Sequence, residues 1–201
     1  AERTGLVYQL AEQGRYAGFF LAWRDLVQQG RLGHVTYCEG EYIGYKGTLR
    51  YHQDWKTAEF VDPEDLPKHP DARPTWMQHA PIHYLPHELS PILMVLDDRV
   101  VKVTAMGTNL PSYAHPEINK SDIQVALMKT EKDTVLRMMC GFSQPVPPGR
   151  DHHHYQIIGT RGSLETGRSS RERAKFWFAD SQMHDMADVD WRYERTDATP
   201  E

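Results

Sequence analysis

The second half of the chain is a succession of short β-forming runs joined by turns, and no other feature limits the fold as much. Arg99–Thr108 alternates Val101, Val103 and Ala105 against Val100, Lys102 and Thr104, the period of a strand. Asp122–Thr130 and Thr134–Phe142 are two more strands, joined by Glu131-Lys132-Asp133, a hairpin-length connection. After the break QPVPPG, His154–Ile158 and Ser163–Thr166 flank the Gly-bounded turn GTRG, and Phe176–Phe178 is a last short run. Earlier, Tyr16–Gln29 reads as an amphipathic helix with Phe19, Phe20, Trp23, Leu26 and Val27 on one face and Gly30 just past its end. His34–Ile43 is a further strand, in which Gly40 marks a bulge or a close approach. A helix followed by mostly consecutive strands predicts an α+β fold: an open, mainly antiparallel sheet with helices on one face. The other face is then free, and if it is rich in Val, Met, Leu and Tyr it is a subunit contact.

The stretch Trp76–Leu96, WMQHAPIHYLPHELSPILMVL, holds three of the eleven histidines. It opens as a loop and ends as a helix. Pro86 suits the first helical turn, and Leu89, Ile92, Leu93 and Leu96 recur at helical spacing. Pro91 predicts a kink or a restart. His87 and Glu88 sit at the helix start, where a histidine can face a cleft while its helix packs below. A histidine that titrates near working pH suits acid/base chemistry, so His87 is the candidate for it. His83 and His87 have a metal-ligand spacing, but H-Y-L-P-H-E is not H-E-x-x-H, and the segment before Pro86 is biased away from helix. No metal is expected. A metal-dependent hydrolase built on His79, His83, His87 and Glu88 stands only as a third alternative.

Composition excludes more than it selects. The 201 residues carry a net charge of −5, without the basic footprint of a nucleic-acid binder. Cys38 and Cys140 lie in apolar runs and form no C-x-x-C, which fits two buried thiols in a reducing compartment, so a cytoplasmic location is expected. No stretch has the length of a membrane span. There is no Walker loop, no G-x-S-x-G elbow and no zinc-ribbon spacing. In His152-His153-His154, alternation lets only His152 and His154 share a face, which favours a polar strand entrance over a metal cluster.

Leu6–Ala11 reads as a short buried strand with Glu12 at its end, where ligands collect in open α/β sheets. Residues 44–75 are polar and proline-rich, the least regular part. A connection of that length with no structure of its own is read as a wall or lid of the histidine site.

These pieces together resemble the C-terminal part of a Gfo/Idh/MocA-type oxidoreductase. AERTGLVYQLAE resembles the end of that family's dinucleotide-binding domain. AWRDLVQQGRLGHVTYCEGEYI resembles the linking helix, turn and first strand of its C-terminal domain. HYLPHELSPILMVLDDRVVKVTAMGT resembles its Y-x-T-H-x-L-x-P-[IL] segment, with Pro86 in place of threonine. DIQVALMKTEKDTVLRMMCGF and YQIIGTRGSLE resemble its later strands and Gly-Thr-x-Gly turn. The resemblance implies a remnant Rossmann strand at residues 1–12, a substrate-binding and oligomerisation domain at 13–180 and a polar tail at 181–201. It implies His87 as acid/base and Tyr84 in the pocket. Glu12, Tyr16, His79 and His83 are then expected around a sugar, sugar derivative or cyclitol. It also implies a homo-oligomer, dimer or tetramer, through the open sheet face. NAD or NADP is expected for the full-length protein and none for this chain alone, because no G-x-G-x-x-G occurs in it. On that reading the chain is a fragment, a proteolysed product or half of a split protein. The alternatives are a cofactor-independent sugar-binding or dimerisation module and an NAD-dependent glycoside-cleaving enzyme.

Overall fold

The computed structural model describes residues 3–7, 12–45, 51–75, 78–169 and 171–189. Helix α1 (Gly18–Gln28) forms where the aromatic periodicity predicts it and buries Phe20, Leu21, Ala22 and Trp23. It stops in a Schellman motif. Gly30, at φ 71°, donates its N–H to the Val27 carbonyl at 2.9 Å, and Arg31 donates to the Leu26 carbonyl at 3.0 Å.

Helix α2 (Pro86–Leu96) follows a 3-10 turn over Pro81–Tyr84. The helix does not restart at Pro91 but is continuous through it. Proline removes the N–H that would serve the His87 carbonyl one turn back. The Tyr155 hydroxyl donates to that carbonyl instead, at 3.0 Å. The inward stripe is also turned by one position. Glu88, Pro91, Ile92, Val95 and Leu96 are buried, whereas Leu89 and Leu93 are half-buried. Glu88 occupies the place that a pattern of apolar residues assigns to Leu89.

The strands are β1 (Val35–Ile43), β2 (His52–Asp54), β3 (Phe60–Val61), β4 (Ala72–Pro74), β5 (Val100–Gly107), β6 (Ile123–Thr130), β7 (Val135–Gly141), β8 (His153–Gly159), β9 (Gly162–Glu165), β10 (Lys175–Phe178) and β11 (Ala187–Asp188). Eight of them form one sheet in the order β11-β10-β9-β8-β1-β7-β6-β5. Every neighbouring pair is antiparallel except β1–β7, which is parallel, with Tyr37 opposite Val135 and Ile43 opposite Gly141. The fold is the open, mainly antiparallel α+β sheet that the strand pattern predicts. Phe20, Trp23, Ile92 and Val95 from the helices pack on Cys38, Leu136, Met138, Ile157 and Leu164 of the sheet. Both cysteines are buried and unpaired, and burial pushes both thiols up.

The far face is mixed. Met106, Leu127 and Val135 are exposed on it, and Arg137 bridges Glu39 and Glu41 at 2.9 and 3.3 Å beside them. Burial raises the Glu41 carboxyl, but hydrogen bonds and charge from Arg168 and then Arg137 outweigh it and hold it below its ordinary value.

Residues 44–75 are not the structureless insert that their composition predicts. Strands β2, β3 and β4 form a separate sheet in the order β3-β2-β4, with a 3-10 turn over Pro63–Lys68. Strands of two or three residues are too short to show alternation in sequence. The expected Leu6–Ala11 strand falls largely on residues 8–11, outside the described residues, and Leu6 and Val7 are exposed and in no strand. Part of the expected tail adds β11 to the sheet edge. The remainder, 190–201, lies outside the described residues. Among the described residues, no helix is long and apolar enough to cross a membrane.

Candidate functional site

The N-terminal end of α2, the turn before α1 and the first half of β8 enclose a cavity of about 400 Å³. His87 looks into it from the first turn of α2. Its Nδ1 lies 2.9 Å from Oε2 of Glu12, a carboxylate that is only 8 % exposed. The other Glu12 oxygen accepts the Gly14 N–H at 2.8 Å and caps the 3-10 turn Gln13–Tyr16. One carboxylate thus fixes both the turn and the ring. A carboxylate on Nδ1 favours the tautomer that leaves Nε2 as an acceptor, and it stabilises the imidazolium that forms when Nε2 takes a proton.

Aromatic rings build the wall. Tyr84 lies 6.1 Å from the His87 ring in stacked orientation and meets Phe142 edge-on at 4.7 Å, while Tyr42 meets His87 edge-on at 5.8 Å. Burial raises the Tyr84 phenol, and Tyr42 adds to the rise; burial, then Glu88 and Cys140, raises that of Tyr42. Both phenols therefore stay protonated at neutral pH and act as hydrogen-bond groups, not as bases.

The structure brings Glu12, Tyr84 and His87 together in this cavity. It does not bring Tyr16, His79 or His83 to it. Tyr16 is exposed, and His79 and His83 are exposed neighbours with rings 5.6 Å apart. The reason is geometric: His79 and His83 precede Pro86, so helix α2 does not carry them round to the face of His87. No described residue of 51–75 lines the cavity either, so the described part of that insert forms neither wall nor lid there. Among the described residues, no three His, Cys, Asp or Glu side chains are grouped to hold one metal ion.

Sequence reasoning missed His153. It lines the cavity from β8, and its Nδ1 lies 2.7 Å from Oε1 of the fully buried Glu88. Alternation carried the signal, since His153 and Tyr155 are two apart and face the same side. Pairing His152 with His154 looked at the wrong phase. His154 turns to the far face, 3.9 Å from Glu39. Gly40 makes the Glu88 position possible. A Cβ there would stand 2.8 Å from Glu88 Cβ and 3.1 Å from Met138 Sδ, the close approach that a glycine in mid-strand implies.

The model of the GFO/IDH/MocA C-terminal domain matches residues 20–165. The chain belongs to that family. A curated relative, the glycosyl hydrolase family 109 protein 2 of Phocaeicola vulgatus, is 26% identical over 188 residues, covering 82% of this chain and 42% of its own length. Among solved structures, the WlbA dehydrogenase of Bordetella pertussis in complex with NADH and UDP-GlcNAcA is similar with a TM-score of 0.61. It is 14% identical, over 90% of this chain and 50% of that one. The transcriptional regulator Gal80p of Kluyveromyces lactis is similar with a TM-score of 0.63. It is 17% identical, over 94% of this chain and 46% of that one. At these identities the structural likeness is one of fold. This GFO/IDH/MocA domain spans about half the length of the relatives it matches.

Proposed function

We propose that this domain is the substrate-binding half of an NAD(P)-dependent oxidoreductase acting on a sugar, sugar derivative or cyclitol, with His87 as its acid/base. One observation carries the reading: an imidazole backed by a buried carboxylate, at the start of a helix, faces an aromatic-walled cavity of monosaccharide size. In the direction of oxidation, Nε2 of His87 accepts the hydroxyl proton of the substrate, and Glu12 stabilises the resulting imidazolium. Tyr84 holds the substrate as a neutral hydrogen-bond group.

The described residues do not fit a dinucleotide. Neither helix is entered through a glycine-rich turn: Ala17 caps α1, and Leu85 with Pro86 opens α2. This chain's contribution is binding and proton transfer, and NAD or NADP would be held outside the described residues. The open face bearing Met106, Leu127 and Val135 is proposed as the subunit contact of a homo-oligomer in the cytoplasm. A glycoside-cleaving variant of the same reading is favoured by the family 109 relative. The alternative from another class is a cofactor-independent sugar-binding or dimerisation module.

Ligand-observed NMR with a panel of neutral monosaccharides and cyclitols tests the reading on this chain. At least one should bind, and His87→Ala should weaken it about tenfold, the value of one hydrogen bond to a polar ring. If no carbohydrate binds, or if the variant binds as well as the parent, the reading fails.

A further inference from the structure

The cavity contains a second carboxylate–imidazole pair that the reading above does not use. Glu88 and His153 repeat the arrangement of Glu12 and His87: a buried carboxylate on Nδ1, at 2.7 Å, and a ring at the cavity wall. The two rings lie 6.4 Å apart between centroids, at 70°. With Nδ1 engaged, each ring has Nε2 left over, and neither Nε2 has a protein hydrogen-bond partner among the described residues. The His153 ring also packs on two tyrosines. Tyr42 lies 4.1 Å from it, and Tyr155 stacks parallel to it, at 2°, with centroids 6.3 Å apart.

This arrangement is costly for a merely structural contact. A carboxylate taken fully out of water loses its solvation, and an apolar side chain at that position on α2 would pack without the loss. Burial does raise the Glu88 carboxyl above its ordinary value, against the opposing pull of His153 and His87. Oε2 of Glu88 is left without a partner, and β1 gives up a side chain at Gly40 to admit the residue. Two positions of the fold are thus committed to the orientation of one ring whose other nitrogen is at a cavity. The charge of the lining is equally specific. Glu12, Asp151 and Glu172 contribute carboxylates, while no lysine or arginine lines the cavity among the described residues. A phosphate or carboxylate on the ligand would find no countercharge there except a protonated histidine.

Resting on the substrate site read above, we propose that His153, oriented by Glu88, is a second proton-handling residue of this cavity, and that the paired imidazoles engage two hydroxyl groups of one uncharged polyhydroxyl ring. His153 touches the ligand; Glu88 is its positioning residue. In the exchange each Nε2 accepts a hydrogen bond from one hydroxyl and, when a proton transfers, becomes an imidazolium facing an alkoxide. No bond other than O–H and N–H is altered.

Diethyl pyrocarbonate labelling of this chain, mapped by mass spectrometry, tests the proposal residue by residue. The probes are D-glucose, myo-inositol and N-acetylgalactosamine, with glucose 6-phosphate as the anionic control. Both His87 and His153 should be modified, and at least one neutral probe should slow both, whereas the phosphate should protect less well. Glu88→Gln should slow modification of His153 about tenfold and that of His87 much less, with the melting curve of the variant as the control for folding. Protection of His87 without protection of His153 overturns the inference and leaves the substrate site standing. Protection of neither by any neutral probe overturns both. An unreactive His153 refutes its access to the cavity, and stronger protection by glucose 6-phosphate refutes the uncharged ligand. A Glu88→Gln variant that leaves the His153 rate unchanged removes Glu88 from its positioning role.

Discussion

Removing the Tyr155 hydroxyl should unfold the start of α2 in preference to the sheet, and the size of the effect follows from Pro91. In an ordinary helix the N–H of residue 91 would donate to the His87 carbonyl. Here proline has none, and the Tyr155 hydroxyl supplies the donor at 3.0 Å, from a side chain only 5 % exposed. Tyr155→Phe leaves that half-buried carbonyl unpaired, a cost of about 1–3 kcal/mol. In a Pro91→Ala background the restored N–H at position 91 can serve the carbonyl, so the same Tyr155→Phe change should cost about 1 kcal/mol less or better. Burial and nearby Glu88 raise the Tyr155 phenol, and that interaction is lost equally in both backgrounds, so it cancels in the cycle. Urea unfolding of the four proteins gives the numbers, provided that the slope m is unchanged. A coupling energy within about 0.5 kcal/mol of zero would mean that the two sites act independently, and the account of the uninterrupted helix would be wrong.

Gly40→Ala should cost about 1–3 kcal/mol by overpacking against Glu88 and Met138, and should slow His153 labelling as well; an unchanged melting curve refutes the close approach. Lys120 is 3 % exposed, and burial, partly offset by Asp122, lowers its ammonium to about 8. Because the unfolded chain binds this proton more tightly, stability should rise with pH from about 8 to about 10.5, a rise that Lys120→Met should remove. An equal pH dependence of parent and variant across that window would refute it. Light scattering should find an oligomer that Leu127→Asp converts toward monomer, since the change puts a charge on the exposed far face; a monomeric parent sinks the proposed contact.

The strands from β5 to β9 were legible to within a residue or two because each alternates and is bounded by turn chemistry, as in Val100–Gly107 and the pair around Glu131-Lys132-Asp133. The parallel β1–β7 pairing was not legible, because alternation says which face a residue takes and nothing of a partner far along the chain. The inward face of α2 was misjudged by one position, most consequentially at Glu88, because a carboxylate counts as polar wherever a histidine and a glycine elsewhere have made room for it. The site divides the same way. His87, Tyr84 and Glu12 could be found from local context and family resemblance. His153 depended on where β8 begins, and a shift of one residue exchanges it for His152 and His154 on the other face.

The position of β1 at the centre of the sheet carries a consequence for synthesis. Its two neighbours, β7 and β8, begin at Val135 and His153, long after β1 ends at Ile43. At ribosomal speeds the intervening residues take roughly 5–20 s to emerge. Throughout that interval β1 has two bare hydrogen-bonding edges and uncovered apolar side chains that include Val35, Cys38 and Ile43. A nascent chain stalled before β7 would thus present the middle of its future sheet as an adhesive strand, and such chains are the ones expected to need a chaperone.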